Sequence, residues 1–261
     1  MQLFNFRYIL FITNVETIHI VWLPHPKTKE VYMAQAGIHG LISNAVRKWT
    51  PNRTWLMLGI VLGSILPDAD NLTVAVATVA KLPTTGLHRT FTHSLIAIAV
   101  VIAVFGLVSL ITKRPRWLNL GIGLGIGILL HILLDLIFWF DGVAILWPYS
   151  YYLNLWSRFS PSSWWMTLMQ PAEFLFLGLF IINLFFLASK QGSDVAYLGR
   201  LRTWIWLQFV LFAIFLVLAF SLSKGFLTIF GAIYLLSLGL AVGVVIRMRG
   251  TIEYKPEASP A

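Results

Sequence analysis

The 261-residue chain contains no cysteine, which removes disulfides and thiolate metal sites. Any metal must then be held by histidine, carboxylate or water. Charge is scarce as well: 11% of residues are Asp, Glu, Lys or Arg, where a soluble domain carries roughly 25%. Acids are the scarcest, 10 against 19 basic residues, for a net charge of +9. The basic residues do not form the contiguous patch that nucleic acid needs. They are scattered over short linkers, a pattern that sets membrane topology, so no nucleic acid is expected as a partner. Period-2 strand patterning is also missing from the long apolar segments, whose interiors read as helical.

Hydrocarbon is abundant. Hydrophobic residues make up 58% of the chain and mean hydropathy is +0.81. A membrane-spanning helix needs ~20 apolar residues at about 1.5 Å of rise each. Ser94–Thr112, Leu118–Phe140, Ala172–Ala188, Thr203–Ser223 and Phe226–Val245 qualify. Gln35–Val46, Trp55–Leu66 and Leu72–Lys81 are shorter and read as partial or buried helices. The expected fold is all-α: a multi-pass transmembrane bundle of five spans plus two or three short helices, with the lipid bilayer as its first partner. The first 32 residues fit no signal-peptide pattern, and PHPKTKE separates them from the helical segment that begins near Met33. Residues 1–32 are therefore expected to be an extension, with Met33 the start of the protein proper. Residues 33–157 are the domain that carries the polar site, 158–250 a three-span bundle and 251–261 a polar tail. Mass spectrometry of native protein checks the start: peptides from residues 1–32 would refute it.

Placing Lys113, Arg114 and Arg116 in the cytoplasm brings Arg47, Lys48, Arg53, Lys190, Arg200, Arg202, Arg247, Arg249 and Lys255 to the same side by alternation. The opposite face keeps only Lys81, Arg89, Arg158 and Lys224. The asymmetry predicts a bacterial inner-membrane orientation. The run from Leu146 to Tyr152, with Trp156, Trp164 and Trp165, then lies outside, as an interfacial aromatic belt or a wall facing substrate. Gly121, Gly123, Gly125 and Gly127 form two overlapping small-xxx-small pairs, which suits close helix packing rather than a nucleotide loop.

The same alternation carries His39, Asp68, Asp70, His88, His93, His131 and Asp135 to the non-cytoplasmic face. Ionisable groups cost roughly 2.5–3.5 kcal/mol each in a bilayer core, so they mark function by default. His131 and Asp135 are i and i+4, on one helix face. Pro67 turns the chain at Asp68-Ala69-Asp70, so both carboxylates can aim at one point. Thr90 or Thr92 is the expected N-cap of the following helix, which leaves His88 in the loop and His93 in the first turn. Each group also has a plainer reading: Asp70 as an N-cap, His131 as a packing residue, His39 as a helix end, Asp141 and Glu173 as interfacial. Gathered together, the seven predict a site for one or two divalent ions, whether zinc, manganese, iron or magnesium. A Ser–His–Asp triad is disfavoured because no GxSxG elbow is present. Arg89 is placed to steady a phosphate or oxyanion, with Thr92 and Ser94 beside it to orient the imidazoles. A proton- or ion-coupled transporter and a non-catalytic scaffold are the alternatives that the same residues allow.

The succession His39, GSILPDADN (Gly63–Asn71), HRTFTHS (His88–Ser94), HILLDL (His131–Leu136) and LWPYS (Leu146–Ser150) resembles the YdjM-like family of inner-membrane metal-dependent hydrolases. The likeness covers about residues 33–150. Thr90 departs from that family's HRGxTHS-like form and Asn71 stands at another variable place, while all the ligand positions are kept. The resemblance implies metal-dependent hydrolysis, here of a phosphate or ester bond in a lipid or lipid-linked substrate.

Overall fold

The computed structural model describes residues 6–14, 17–24, 36–140, 142–149, 151–159, 161–222 and 225–253. Met33, Asp141, Ser150, Lys224, Lys255 and most of the 251–261 tail lie outside them. Two compact units separate at 32/33. The first holds an antiparallel hairpin, β1 (Phe6–Asn14) with β2 (Thr17–Pro24), paired from Phe6↔Pro24 to Asn14↔Thr17. No strand was expected there. Both segments are rich in Phe, Tyr, Ile, Val and Thr and are joined through Asn14, a combination that favours a hairpin once read at strand length.

The second unit, Met33–Ala261, is all-α. Its helices are α1 (Ala36–Ala45), α2 (Leu56–Ile65), α3 (Asn71–Val79), α4 (Leu95–Thr112), α5 (Pro115–Phe138), α6 (Ser163–Gln191), α7 (Leu198–Ser221), α8 (Phe226–Arg247) and the short α9 (Arg249–Glu253). Among the described residues, six stretches are long and apolar enough to cross a membrane, one more than expected. The addition is Leu56–Val79, where a 3-10 turn at Leu66–Asp70 joins α2 to α3. Pro67 does not end this run because it occupies the start of that turn, where a missing N–H breaks no bond. Pro115 likewise starts α5 three residues before the expected Leu118. α6 starts nine residues before the expected Ala172 and carries Pro171 inside it. α1 has 10 residues, about 15 Å of helix, and is too short to span.

Lipid tails are as apolar as leucine, so helices in a bilayer associate through close packing of small residues. The α5 glycines do this on two faces. Cβ atoms added at Gly123 or Gly127 would overlap the backbone of α2 at Leu56, Gly59, Ile60 and Gly63. At Gly121 and Gly125 they would meet Phe105 and Ile102 of α4 instead. Positions two apart point about 200° apart around a helix, which is why one alternating run serves two neighbours. In α2, Gly59 faces Leu120 and Gly123 while Gly63 faces Leu124, so α2 and α5 run parallel. α1 runs parallel to α6, with Gly37 against Phe176 and Leu177 and Gly40 against Phe180.

These directions put the starts of α2 and α5 at one end. There Arg116 lies over the Trp55 ring at 4.4 Å, Arg249 over the same ring at 5.7 Å, and Arg47 Nη1 donates to Thr251 O at 2.9 Å. At the other end of α1, the carbonyl of His39 accepts from Ser64 Oγ at 3.2 Å. The polar site and this basic end are therefore separated by the length of α1. Between them packs a core that includes Ile65, Leu177, Phe180 and Ile181, all fully buried. α4 and α7 stand at the periphery and expose apolar side chains such as Val104, Leu107, Val210 and Val217.

Candidate metal centre

Four segments meet at the end opposite the basic cluster. α1 brings His39 in its first turn, and the 3-10 turn after α2 brings Asp68 and Asp70. The loop before α4 brings His88, Arg89, Thr92 and His93, and the last two turns of α5 bring His131 and Asp135. His39, Asp68, Asp70, Arg89, His93, His131 and Asp135 are all buried. His88 is half-buried.

The imidazoles are oriented from behind. His131 Nδ1 lies 2.7 Å from the carbonyl of Ser64. A carbonyl only accepts, so Nδ1 carries the proton and Nε2 presents its lone pair to the cluster. His93 Nδ1 lies 2.9 Å from Thr92 Oγ1 and 3.4 Å from Asp70 Oδ2. Thr92 Oγ1 donates in turn to Asp70 Oδ2 at 2.8 Å, so the hydroxyl accepts from the His93 ring. Asp70 also accepts from His88 Nδ1 at 2.6 Å and from the Arg89 backbone N–H at 3.1 Å. Its carboxylate is spent on orienting both histidines and makes no N-cap bond to α3.

His93 Nε2 and His131 Nε2 face each other at 3.0 Å. Around them stand Asp68 Oδ1, 3.8 Å from His93 and 3.6 Å from His131, and Asp135 Oδ2, at 3.6 and 3.7 Å. Ligands bonded to one ion at about 2.0–2.2 Å in a tetrahedron are roughly 3.3–3.6 Å apart, so these separations suit one small cation. His39 stacks on His131, centroids 3.9 Å apart, with Nε2 3.3 Å from Asp135 Oδ1. Among the described residues, three triads bring one ligand atom each within 4.8 Å of one another: His39/Asp68/His131, Asp68/His88/His93 and His93/His131/Asp135.

Charge points the same way. Among the described residues, three buried carboxylates of the cluster face one guanidinium, Arg89, whose Nε is 3.2 Å from Asp135 Oδ2. With the histidines neutral, two negative charges stay uncompensated, which is the charge of a divalent cation. Asp68 Oδ2 and both His39 ring nitrogens are buried without a hydrogen bond, as groups awaiting a further partner would be. The donor set of imidazole and carboxylate fits a borderline or hard divalent ion.

Without such an ion, His93 takes up part of the imbalance. Burial pushes its imidazole down, but Asp68, Asp70 and Asp135 outweigh burial and raise it from 6.5 to about 9. An ion on Nε2 must displace that proton. Chelator-stripped protein is therefore expected to gain metal affinity as pH rises from 6.5 to 9. Over the same window the stripped protein loses the stability that charged His93 contributes, since its folded value lies above its unfolded one. Metal titrations and thermal melts at pH 6.5, 7.5 and 9 check both slopes; a flat affinity would refute the assignment of His93.

Arg89 adopts a left-handed backbone, φ 56°, and its guanidinium lies 5.9 Å from the centroid of the buried Trp139 ring. Ser94, not Thr90 or Thr92, is the N-cap of α4: its Oγ accepts from Ala97 N at 3.1 Å and donates to Phe91 O at 2.7 Å. His93 consequently sits in a 3-10 turn ahead of the helix. Ala144 N donates to Arg89 O and Leu95 N to Ile145 O, both at 3.0 Å, so the segment after α5 closes on this loop. Sequence reasoning missed Trp139, the Ser64 carbonyl and the full burial of Glu173 in α6. A lone carboxylate inside an apolar run was itself the signal for Glu173.

No curated protein and no solved structure matches the chain. The profile of the YdjM inner membrane protein family matches residues 34–226, which reaches past the expected limit at 150 into α6 and α7. With well over half of its length matched, over a bundle of membrane-length helices, the chain is a membrane protein that belongs to the YdjM inner membrane protein family.

Proposed function

We propose that the chain is a membrane-embedded, metal-dependent hydrolase acting on a phosphate or ester bond of a lipid or lipid-linked substrate at the non-cytoplasmic face. The observation that carries this reading is the pair of inward-facing Nε2 atoms of His93 and His131, 3.0 Å apart among carboxylates whose charge one cation would balance. Asp68, His93, His131 and Asp135 would hold the ion, with His39 beside them. His88 and Asp70 would support them or complete a second ion site. A divalent ion bound there supplies a polarising charge for the scissile group and lowers the pKa of attacking water toward ~7. Hydrolysis joins the water oxygen to phosphorus or acyl carbon, breaks the ester bond and hands a proton to the leaving oxygen.

The chain's own residues supply the rest. Arg89 offers a planar fork that suits a phosphate or oxyanion, held by Asp135 and the Trp139 face. Thr92 fixes the His93 tautomer. Leu95 and Ile96, exposed at the top of α4 beside Phe91 and Trp147, give an apolar approach from the bilayer side, which suits an acyl chain better than a polar metabolite. A hydrolysis screen over phospholipids and polyprenyl phosphates with zinc, manganese, iron and magnesium tests the reading. Arg89→Lys is expected to cut turnover about tenfold and Arg89→Ala by roughly 10²–10³, the cost of losing one oxyanion donor. Metal content, measured alongside, separates lost catalysis from lost binding through Asp135.

One observation favours a transport reading. A polar stripe descends from His39 through Ser43–Ser64 (2.8 Å) and Asn44–Asn183 (2.7 Å) to Arg47, and α7 and α8 bury Gln208 and Ser237. Proteoliposome flux is the discriminator: proton or ion flux without lipid turnover selects transport.

A further inference from the structure

We infer that Glu173 is a positioning residue of this centre, whose carboxyl oxygen fixes the first turn of α1 and with it His39. The inference rests on the metal-site reading. Glu173 is fully buried in α6, and its Oε2 accepts the backbone N–H of Gly37 at 3.3 Å. Its Oε1 makes no hydrogen bond, and no cationic side chain pairs with the carboxyl among the described residues. So isolated a carboxyl in a membrane bundle is costly, and its one bond goes to the helix that carries His39.

α1 needs such an anchor. It is 10 residues long, and isolated helices shorter than ~12–15 residues are marginal. The N–H groups of a first turn have no partner within their own helix, and Glu173 satisfies that of Gly37. Gly37 is itself pressed on α6: a Cβ there would overlap the backbone of Phe176 and Leu177. His39 lies two residues further on. Neither of its ring nitrogens makes a hydrogen bond, unlike His131 on Ser64 or His93 on Thr92. The ring is therefore aimed by its backbone position, by the stack on His131 and by the 3.3 Å approach to Asp135. A shift of α1 along α6 would move His39 out of the cluster; Ser64 Oγ on the His39 carbonyl and Asn183 Oδ1 on the Asn44 amide hold the helix further along, and Glu173 holds the N–H of Gly37 in its first turn.

Cobalt(II) titration of the purified full-length protein, followed by its visible absorption, tests this apart from turnover. Glu173→Gln keeps an oxygen that accepts from Gly37 and is expected to bind within about threefold of the parent. Glu173→Leu removes it and is expected to weaken binding by roughly 10–100-fold, the usual cost of a lost orienting partner, with an altered spectrum. Adding His39→Ala to Glu173→Leu should cost nothing further. Monodisperse elution confirms folding, and Glu173→Met replaces Glu173→Leu if the latter fails that check. Parental binding by Glu173→Leu, equal losses in the Gln and Leu variants, or additive losses with His39→Ala would each overturn the inference and leave the metal reading standing. A parent protein that takes up no cobalt would overturn both.

Discussion

Substituting His131 by alanine is expected to strip the centre of metal and abolish any hydrolysis that depends on it. His131 is the residue on which the others converge: Nε2 is 3.0 Å from His93, 3.6 Å from Asp68 and 3.7 Å from Asp135, and its ring carries His39. Its Nδ1–H bond to the Ser64 carbonyl fixes the lone pair before any ion arrives. Losing an orienting partner typically costs 10–100-fold in affinity, so losing the ligand itself should cost more than ~100-fold. Asp70→Asn supplies the comparison. Asp70 spends its oxygens on His88, Thr92, His93 and the Arg89 N–H, so its loss should fall within the 10–100-fold range. Metal retained after dialysis, measured by mass spectrometry, ranks parent above Asp70→Asn above His131→Ala. Equal metal in parent and His131→Ala would remove His131 from the site.

Gly63→Ala should reach the same centre from outside it. A Cβ at Gly63 would overlap the backbone of Leu124, which cannot turn aside as a side chain could. α2 and α5 must then separate, at a cost of about 1–3 kcal/mol for overpacking. Ser64 is the next residue, and its carbonyl is the anchor of His131. Displacements of order 1 Å can cost ~10²-fold in a positioned site, so metal affinity should fall at least tenfold along with the melting temperature. Gly231→Ala and Gly239→Ala are the controls, because a Cβ at either position meets nothing within 4 Å. Both should melt and bind as the parent does. Parental affinity in a destabilised Gly63→Ala protein would uncouple the helix contact from the site.

Much of this was legible in sequence. Apolar runs of membrane length marked the helices, and alternation of the spans carried His39, the PDAD turn, the HRTFTHS loop and the His131/Asp135 pair to one end. Alternating glycines announced close packing, though not that one run would serve α2 on one face and α4 on the other. The length of Leu56–Val79 was obscured because Pro67 reads as a break, and only the 3-10 turn shows the chain continuing. The hairpin of residues 6–24 was hidden by a composition that suits apolar helix and strand alike. Roles within the cluster needed geometry. Spacing alone could not show that Asp70 is occupied in orienting histidines while Asp68 faces the Nε2 pair, nor that Ser94 caps α4.

X-ray absorption at the metal edge of protein purified with its native ion tests the central claim most directly. The account predicts a first shell of nitrogen and oxygen only, with outer-shell scattering from at least two imidazoles, both lost in a His93→Ala, His131→Ala double variant. A protein without metal, or a shell without imidazole scattering, would contradict it.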